Sequence, residues 1–506
     1  MLAEPRHAPA EETLFCFNGI DGRDGSYLLP RVPPRSLADF ARGKIGALGS
    51  GHFGDPGGNG GRADRAWVRE LQTWVKRWGK TRRGLREGLD PGKLEEAGWG
   101  VIFPQTADAT SLRDALAPLL DHRRAQAGGL FREFSGDDGY RAGETKVDFL
   151  ARHGAGPGPA DPAKVPYYLL LVGDPEELPF SFQFQLDVQY AVGRLCFDRF
   201  EEYRSYAESV VAAETGPVQR ARRASFFAPV SPGDPVTRMT SACLAQPLAA
   251  TVRREQPDWE VETVLGDEAT RDRLGRLFGG VGDDDPAFLF TACHGLGFPA
   301  GDAQQRELQG ALVCRDWPGP AGDGVHREHY FAAADVGDAA RVHGLIAFCF
   351  ACFGAGTPSW DAYTQGGQEA RRRLSPKDFL GRLPQRLLAH PQGGALAVVG
   401  HVERAWGFSF AWTGAGAQTV VFESTVRRLL EGKPIGWAME FFNQRYAELA
   451  SDLAAEVEAL GFGKKLDETV LANLWTASHD ARNYTIVGDP AVRVATLPSP
   501  SGGSKP

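Results

Sequence analysis

Long apolar runs are missing from this chain of 506 residues, and so is a marked surplus of either charge. No stretch reaches the roughly 18 apolar residues of a membrane-spanning helix, so none is expected. Lysine plus arginine come to 56 and aspartate plus glutamate to 64, a net charge of −8. That balance argues against a general binder of nucleic acid or of anionic membranes. The 7 cysteines (Cys16, Cys196, Cys243, Cys293, Cys314, Cys349 and Cys352) are odd in number and irregularly spaced, which excludes a disulfide framework. The opening MLAEPRHAPAEETLF lacks the basic stretch and apolar core of a signal peptide. These absences predict a soluble, reduced, cytoplasmic protein.

What is present is a large core. The chain is 42% hydrophobic, with 30 Phe, 11 Trp and 11 Tyr, far too apolar for a disordered protein. Residues 1–98 read as a loop-rich N-terminal region, either regulatory or part of the body. Within it Gly46–Gly61 is a glycine-rich loop, and Arg65–Trp78 has helical spacing of Trp67, Leu71, Trp74 and Val75. From Trp99 onward short apolar runs alternate with helical stretches. The runs are Trp99–Phe103, Tyr167–Val172, Tyr190–Leu195, Ala224–Val230, Val261–Leu265, Ala287–Ala292, Gly344–Ala351 and Ala395–Val399. This pattern predicts an α/β fold, a mostly parallel sheet covered on both faces. Leu308–Val313 and His329–Ala333 suggest a small antiparallel excursion. Helices at Ile435–Leu460 and Leu466–Asn483 precede a last strand at Tyr484–Val487. The expected division is a first α/β subdomain over 99–218, a second over 219–496, and a disordered tail over 497–506.

Two strand ends carry chemistry. The run Ala287–Ala292 ends in Cys293-His294-Gly295, and the run Gly344–Ala351 ends in Cys352-Phe353-Gly354. Functional groups of open parallel sheets gather at the carboxyl ends of strands. A histidine and a cysteine there form a base beside a nucleophile, the minimum for covalent acyl transfer. The N–H groups of Gly295 and Cys352 are candidate oxyanion donors, each worth about 3 kcal/mol in a transition state. Cys349 reads as core, and Cys293 as pointing to the other face of its strand.

A strand ending in His-Gly followed by one ending in Ala-Cys-Phe-Gly-Ala-Gly resembles the caspase-like clan of cysteine proteases. Tyr167–Pro175 (YYLLLVGDP), Tyr190–Leu195 (YAVGRL), Gly393–Gly400 (GGALAVVG) and Tyr484–Pro490 (YTIVGDP) add a resemblance to its gingipain branch and to bacterial CHAT-type relatives. The resemblance implies a caspase-haemoglobinase-like three-layer α/β/α sandwich in two subdomains. It implies Cys352 as nucleophile and His294 as base, with no metal and no cofactor. An acidic third member is implied shortly before Gly193-Arg194, where Asp187 is the candidate. By the same resemblance Glu201, Glu202 and Trp406 are candidates for the primary specificity pocket, with basic P1 residues preferred. Arg371-Arg372-Arg373, in the loop after the nucleophile, is a candidate activation cleavage site; the alternative is a solvated segment before the helix that Ser375-Pro376 would open.

The expected function is an intracellular cysteine endopeptidase acting on protein substrates. It would be regulated or made as a zymogen, with an activating protease or regulatory protein as partner, and bacterial defence or cell death is the role the CHAT-like resemblance suggests. Three rivals stand beside it. A partner-binding scaffold that kept the fold without catalysis is one. A thiol oxidoreductase built on Cys349-Phe-Ala-Cys352 is the second, and a zinc site drawing on Cys293, His294, Cys349 and Cys352 the third. Asp283-Asp284-Asp285 reads as a solvated turn rather than a calcium site.

Overall fold

The computed structural model describes residues 19–28, 84–106, 109–216, 220–280, 285–362, 372–412, 416–462 and 468–496. The loop Gly46–Gly61, the helix Arg65–Trp78, Asp283, Asp284, Arg371 and the tail after residue 496 lie outside the described residues.

In chain order the strands begin with β1 (Gly19–Asp21), β2 (Trp99–Ile102), β3 (Phe131–Phe134), β4 (Tyr168–Val172), β5 (Ala191–Leu195) and β6 (Arg223–Pro229). Next come β7 (Glu260–Gly266), β8 (Phe288–Ala292), β9 (Gly295–Gly297), β10 (Leu312–Val313), β11 (Tyr330–Phe331) and β12 (Ile346–Phe350). The last are β13 (Gly356–Thr357), β14 (Phe379–Leu380), β15 (Ala397–His401), β16 (Ala411–Trp412), β17 (Gly416–Ala417) and β18 (Tyr484–Gly488). Ten of them form one sheet in the order β3-β2-β4-β5-β18-β15-β12-β8-β6-β7.

Every residue of β2, β4, β5, β8, β12, β15 and β18 is buried. Successive strand residues point to opposite faces, so both faces of the sheet are covered, as the unbroken apolar runs require. Helix Ala109–Ala127 packs on helix Phe200–Thr215, and Val420–Leu430 packs on Gln246–Glu255 and on Glu440–Gly461. The fold class is therefore α/β with a mostly parallel sheet, as expected. The excursion is also there: β10 pairs antiparallel with β9 and β11. The stretch between Gly128 and Pro162, read as a connection, instead contains β3 and the helix Lys146–Arg152.

One feature of the sheet was not foreseen. Neighbours are parallel everywhere except where β15 meets β18. β18 lies between β5 and β15 and joins the β5 half of the sheet to the β15 half. The carboxyl ends of β8, β12 and β15 share one edge of the sheet.

The two Val-Gly-Asp-Pro segments follow β4 and end β18, and the second has a clear structural duty. Asp489 is fully buried and accepts from Trp99 Nε1 at 2.9 Å and from Arg123 Nε at 2.6 Å. Arg123 also pairs with Glu214 at 2.6 Å, so one buried guanidinium ties two helices to the end of β18. Burial alone would raise the Glu214 carboxyl; the Arg123 charge and the His122 contact bring it down to about 2. Removing one partner of a buried pair leaves the other charge desolvated and alone. Arg123→Met is therefore expected to lower unfolding stability by about 3 kcal/mol or more, read from urea denaturation. A loss below about 1 kcal/mol would contradict this account.

Candidate active site

The site starts from strand register. In the parallel pairing of β8 with β12, Ala292 stands opposite Phe350. His294 and Cys352 each follow two residues later, so the backbone brings them abreast at one edge of the sheet. Cys293 N–H donates to Phe350 O at 3.2 Å and continues the pairing past the strand ends. Gly295 then lies against the Cys352 backbone. A side chain at Gly295 would put its Cβ 1.9 Å from Cys352 O, so only glycine allows this approach.

His294 has no solvent exposure. Its Nε2 is 2.7 Å from Asp234 Oδ2, and Asp234 is equally buried. An ionised carboxylate only accepts, so Nε2 carries the proton and Nδ1 is the basic nitrogen of the neutral ring. Nδ1 is buried and has no hydrogen-bond partner among the described residues. Trp317 stands edge-on to the imidazole, with ring centroids 5.7 Å apart.

Asp234 comes from the next strand over. It follows β6, the neighbour of β8, and opens the short helix Pro235–Thr240 by accepting from Val236 N–H at 2.9 Å. Tyr27 donates its hydroxyl to the other oxygen at 2.7 Å. Burial would raise this carboxyl, but the His294 charge and hydrogen bond, with Tyr27 and Thr237, hold it well below the usual carboxylate range.

Cys352 is also fully buried. Its sulfur accepts from Ala405 N–H at 3.2 Å, and burial pushes its thiol up to about 12. The turn that presents it is unusual. Phe353, at φ 59°, and Glu403, at φ 83°, are the two non-glycine residues with positive φ among those described. Phe353 N–H donates to Glu403 O at 2.7 Å, so two strained residues clamp each other beside the sulfur. Buried Arg404 pairs with both Glu403 and Asp361. Asp480, on helix Glu468–Arg482, accepts from Trp406 N–H at 2.9 Å and from the Ser409 hydroxyl. After the turn the chain crosses β15 at Gly400, where a Cβ would come within 2.7 Å of Ala355 N.

The remaining sequence candidates are distributed as follows. Asp187 ends helix Phe180–Asp187 and accepts from the Val192 backbone; burial raises its carboxyl well above the usual range. The carboxylate at His294 is that of Asp234 instead, which corrects the expected position of the acidic partner. Glu201 and Glu202 open helix Phe200–Thr215 after β5, and the preceding Asp198 pairs with Arg306 and Arg382. Glu202 accepts from Arg199 N–H at 3.1 Å, a helix-opening role. Trp406 is at the Cys352 edge but is wholly buried with Val188, Phe408 and Trp475. Arg372 and Arg373 are exposed; Arg373 bridges to Trp360 and stacks its guanidinium 4.4 Å over that ring.

Cys349 is buried within β12, and its thiol is pushed up to about 11 by that burial. Among the described residues no three His, Cys, Asp or Glu side chains converge as metal ligands. No helix there is long and apolar enough to cross a membrane.

No family model matches the chain, and no curated protein does. Solved structures do. One described as a protease aligns with a TM-score of 0.44 and 13% identity over 79% of each chain. The Arg-specific cysteine proteinase gingipain R aligns at 0.42 and 11% identity, over 82% of this chain and 81% of that one. The complex of Porphyromonas gingivalis RgpB pro- and mature domains gives 0.41 and 11%, over 79% and 80%. At these scores the likeness carries no argument, and the fold class rests on the sheet itself.

The Asp234 carboxyl sits below its unfolded value of about 3.9, so its stabilisation is complete above that pH and is lost as pH falls towards the folded value. Asp234→Asn is expected to cost about 3 kcal/mol at pH 7, with the gap to the parent narrowing below about pH 4. Urea midpoints at pH 7 and pH 3 check both the size and the sign.

Proposed function

We propose that the chain is a cysteine endopeptidase acting on protein substrates, with Cys352 as nucleophile, His294 as general base and acid, and Asp234 as the residue that orients the imidazole. The observation that carries this reading is the state of His294. Its Nε2 is committed to Asp234, while Nδ1 is left without a partner at the strand end beside Cys352.

Nδ1 takes the thiol proton as sulfur attacks the peptide carbonyl carbon. The carbonyl oxygen takes up negative charge, for which the Gly295 and Cys352 N–H groups are the candidate donors. Collapse of the adduct breaks the C–N bond, and the imidazolium gives its proton to the leaving amine. Water then attacks the thioester with His294 as base, releasing the acid and restoring the thiol. Asp234 stabilises the imidazolium throughout and keeps the productive tautomer. A preference for basic P1 residues, with Glu201 and Glu202 as candidate pocket carboxylates, is part of this proposal.

A second reading, a silent scaffold that binds a partner, is favoured by the complete burial of Cys352 and its raised thiol. A fluorogenic panel with Arg, Lys, Asp, Asn or Leu at P1, before and after limited trypsin treatment, separates the two. Hydrolysis that vanishes in Cys352→Ala and His294→Ala, and falls about 100-fold or more in Asp234→Asn, is expected. Activity indifferent to Cys352→Ala, or silence that persists when Cys352 is open to thiol reagents, would overturn the peptidase reading.

A further inference from the structure

The segment Gly19–Leu28 folds back on itself over the site. Leu28 N–H donates to Gly19 O at 3.1 Å, Asp21 N–H donates to Ser26 O at 2.7 Å, and Ile20 bridges Tyr27. Its first arm, β1, pairs in parallel with β9, setting Gly19 against Gly295, Ile20 against Leu296 and Asp21 against Gly297. Gly22 N–H extends the ladder to Gly297 O at 2.9 Å. The backbone of β9 directly follows His294, so β1 occupies the strand position alongside the candidate oxyanion residue.

Contact with the sulfur is direct. An ideal Cβ on Gly19 would lie 2.8 Å from Cys352 Sγ and 2.7 Å from Leu28 Cδ1. Glycine is thus needed where this strand crosses the thiol. Leu28 also covers Gly297, where a Cβ would meet its Cδ2 at 2.7 Å. The segment is held at several points. Ile20 is buried with Leu296, Phe298, Val313 and Trp317, and Tyr27 reaches Asp234. Gly22 lies on the Phe298 ring, where a Cβ would come within 2.2 Å.

We propose that Gly19–Leu28 is a self-blocking strand: it fills the slot along β9 and covers the sulfur, so that reagents and extended peptides reach Cys352 only when β1 leaves β9. As regulation of a peptidase this rests on the function proposed above; as a statement about access to one thiol it stands apart. β1 pairs with β9 at the edge of its own four-stranded sheet and belongs to neither half of the main sheet, so it can leave without breaking a pairing of the main sheet.

Iodoacetamide labelling of the intact folded chain, with peptide mapping to read Cys352, tests the blockade. Cys352 is expected to label about 100-fold more slowly than in the urea-unfolded chain. Gly22→Val, which drives the turn off Phe298, is expected to raise the folded-state rate about tenfold or more. A measurement needing no variant accompanies it: in sub-denaturing urea, labelling of Cys352 and deuterium uptake at residues 19–28 are expected to rise together, ahead of global unfolding. Rapid labelling of the folded parent, or labelling that follows global unfolding alone, would overturn the proposal. A Gly22→Val chain that labels fast but hydrolyses no peptide supports the strand and counts against the peptidase. Full hydrolysis by the parent, with no gain in Gly22→Val, does the reverse.

Discussion

The parallel pairing of β8 with β12 is the constraint on which the site depends. Two adjacent strands of equal length and matched register deliver their next residues side by side. Neither His294 nor Cys352 needs a special loop to find the other. What needs explaining is how each is held, and the solutions differ. The imidazole is fixed by hydrogen bonding from the β6 side, through Asp234. The sulfur is fixed by backbone geometry from the β15 side, through the Phe353–Glu403 clamp and the Ala405 amide. Four neighbouring strands, β6, β8, β12 and β15, thus each contribute one part.

The electrostatics follow from complete burial. A carboxylate and an imidazole out of water interact far more strongly than at a surface, and an unpaired member is correspondingly costly. Asp234 therefore has all its capacity used: His294, Tyr27 and the first amides of its own short helix. The thiol has the opposite lot. One amide donor cannot offset desolvation, so as folded the sulfur stays protonated.

Much of this was legible in the residues, and the misses have physical reasons. Unbroken apolar runs ending in His294-Gly295 and Cys352-Phe353 located both strand ends, because a strand buried on two faces leaves an unmistakable pattern. Asp234 was not found, although Ser-Pro-Gly-Asp-Pro after an apolar run is a strand-to-helix junction. What the sequence lacks is strand order, and only the adjacency of β6 to β8 puts that junction beside the histidine. β1 is short and glycine-bearing, and its partner lies hundreds of residues away, so nothing local marks it as a strand.

The position of β18 has a consequence for how the molecule is made. It is the strand between the two halves, yet it emerges from the ribosome after every other strand of the sheet. Until residues 484–488 are available, β5 and β15 each present an open, apolar edge. The halves can collapse separately during synthesis, but they become one sheet only once β18 has been made, as a contact of very long sequence separation. Asp489, immediately after that strand, then locks Trp99 and Arg123 from the first half. Assembly is thus timed by the order of synthesis, and truncated products are left with unpaired strand edges prone to aggregation.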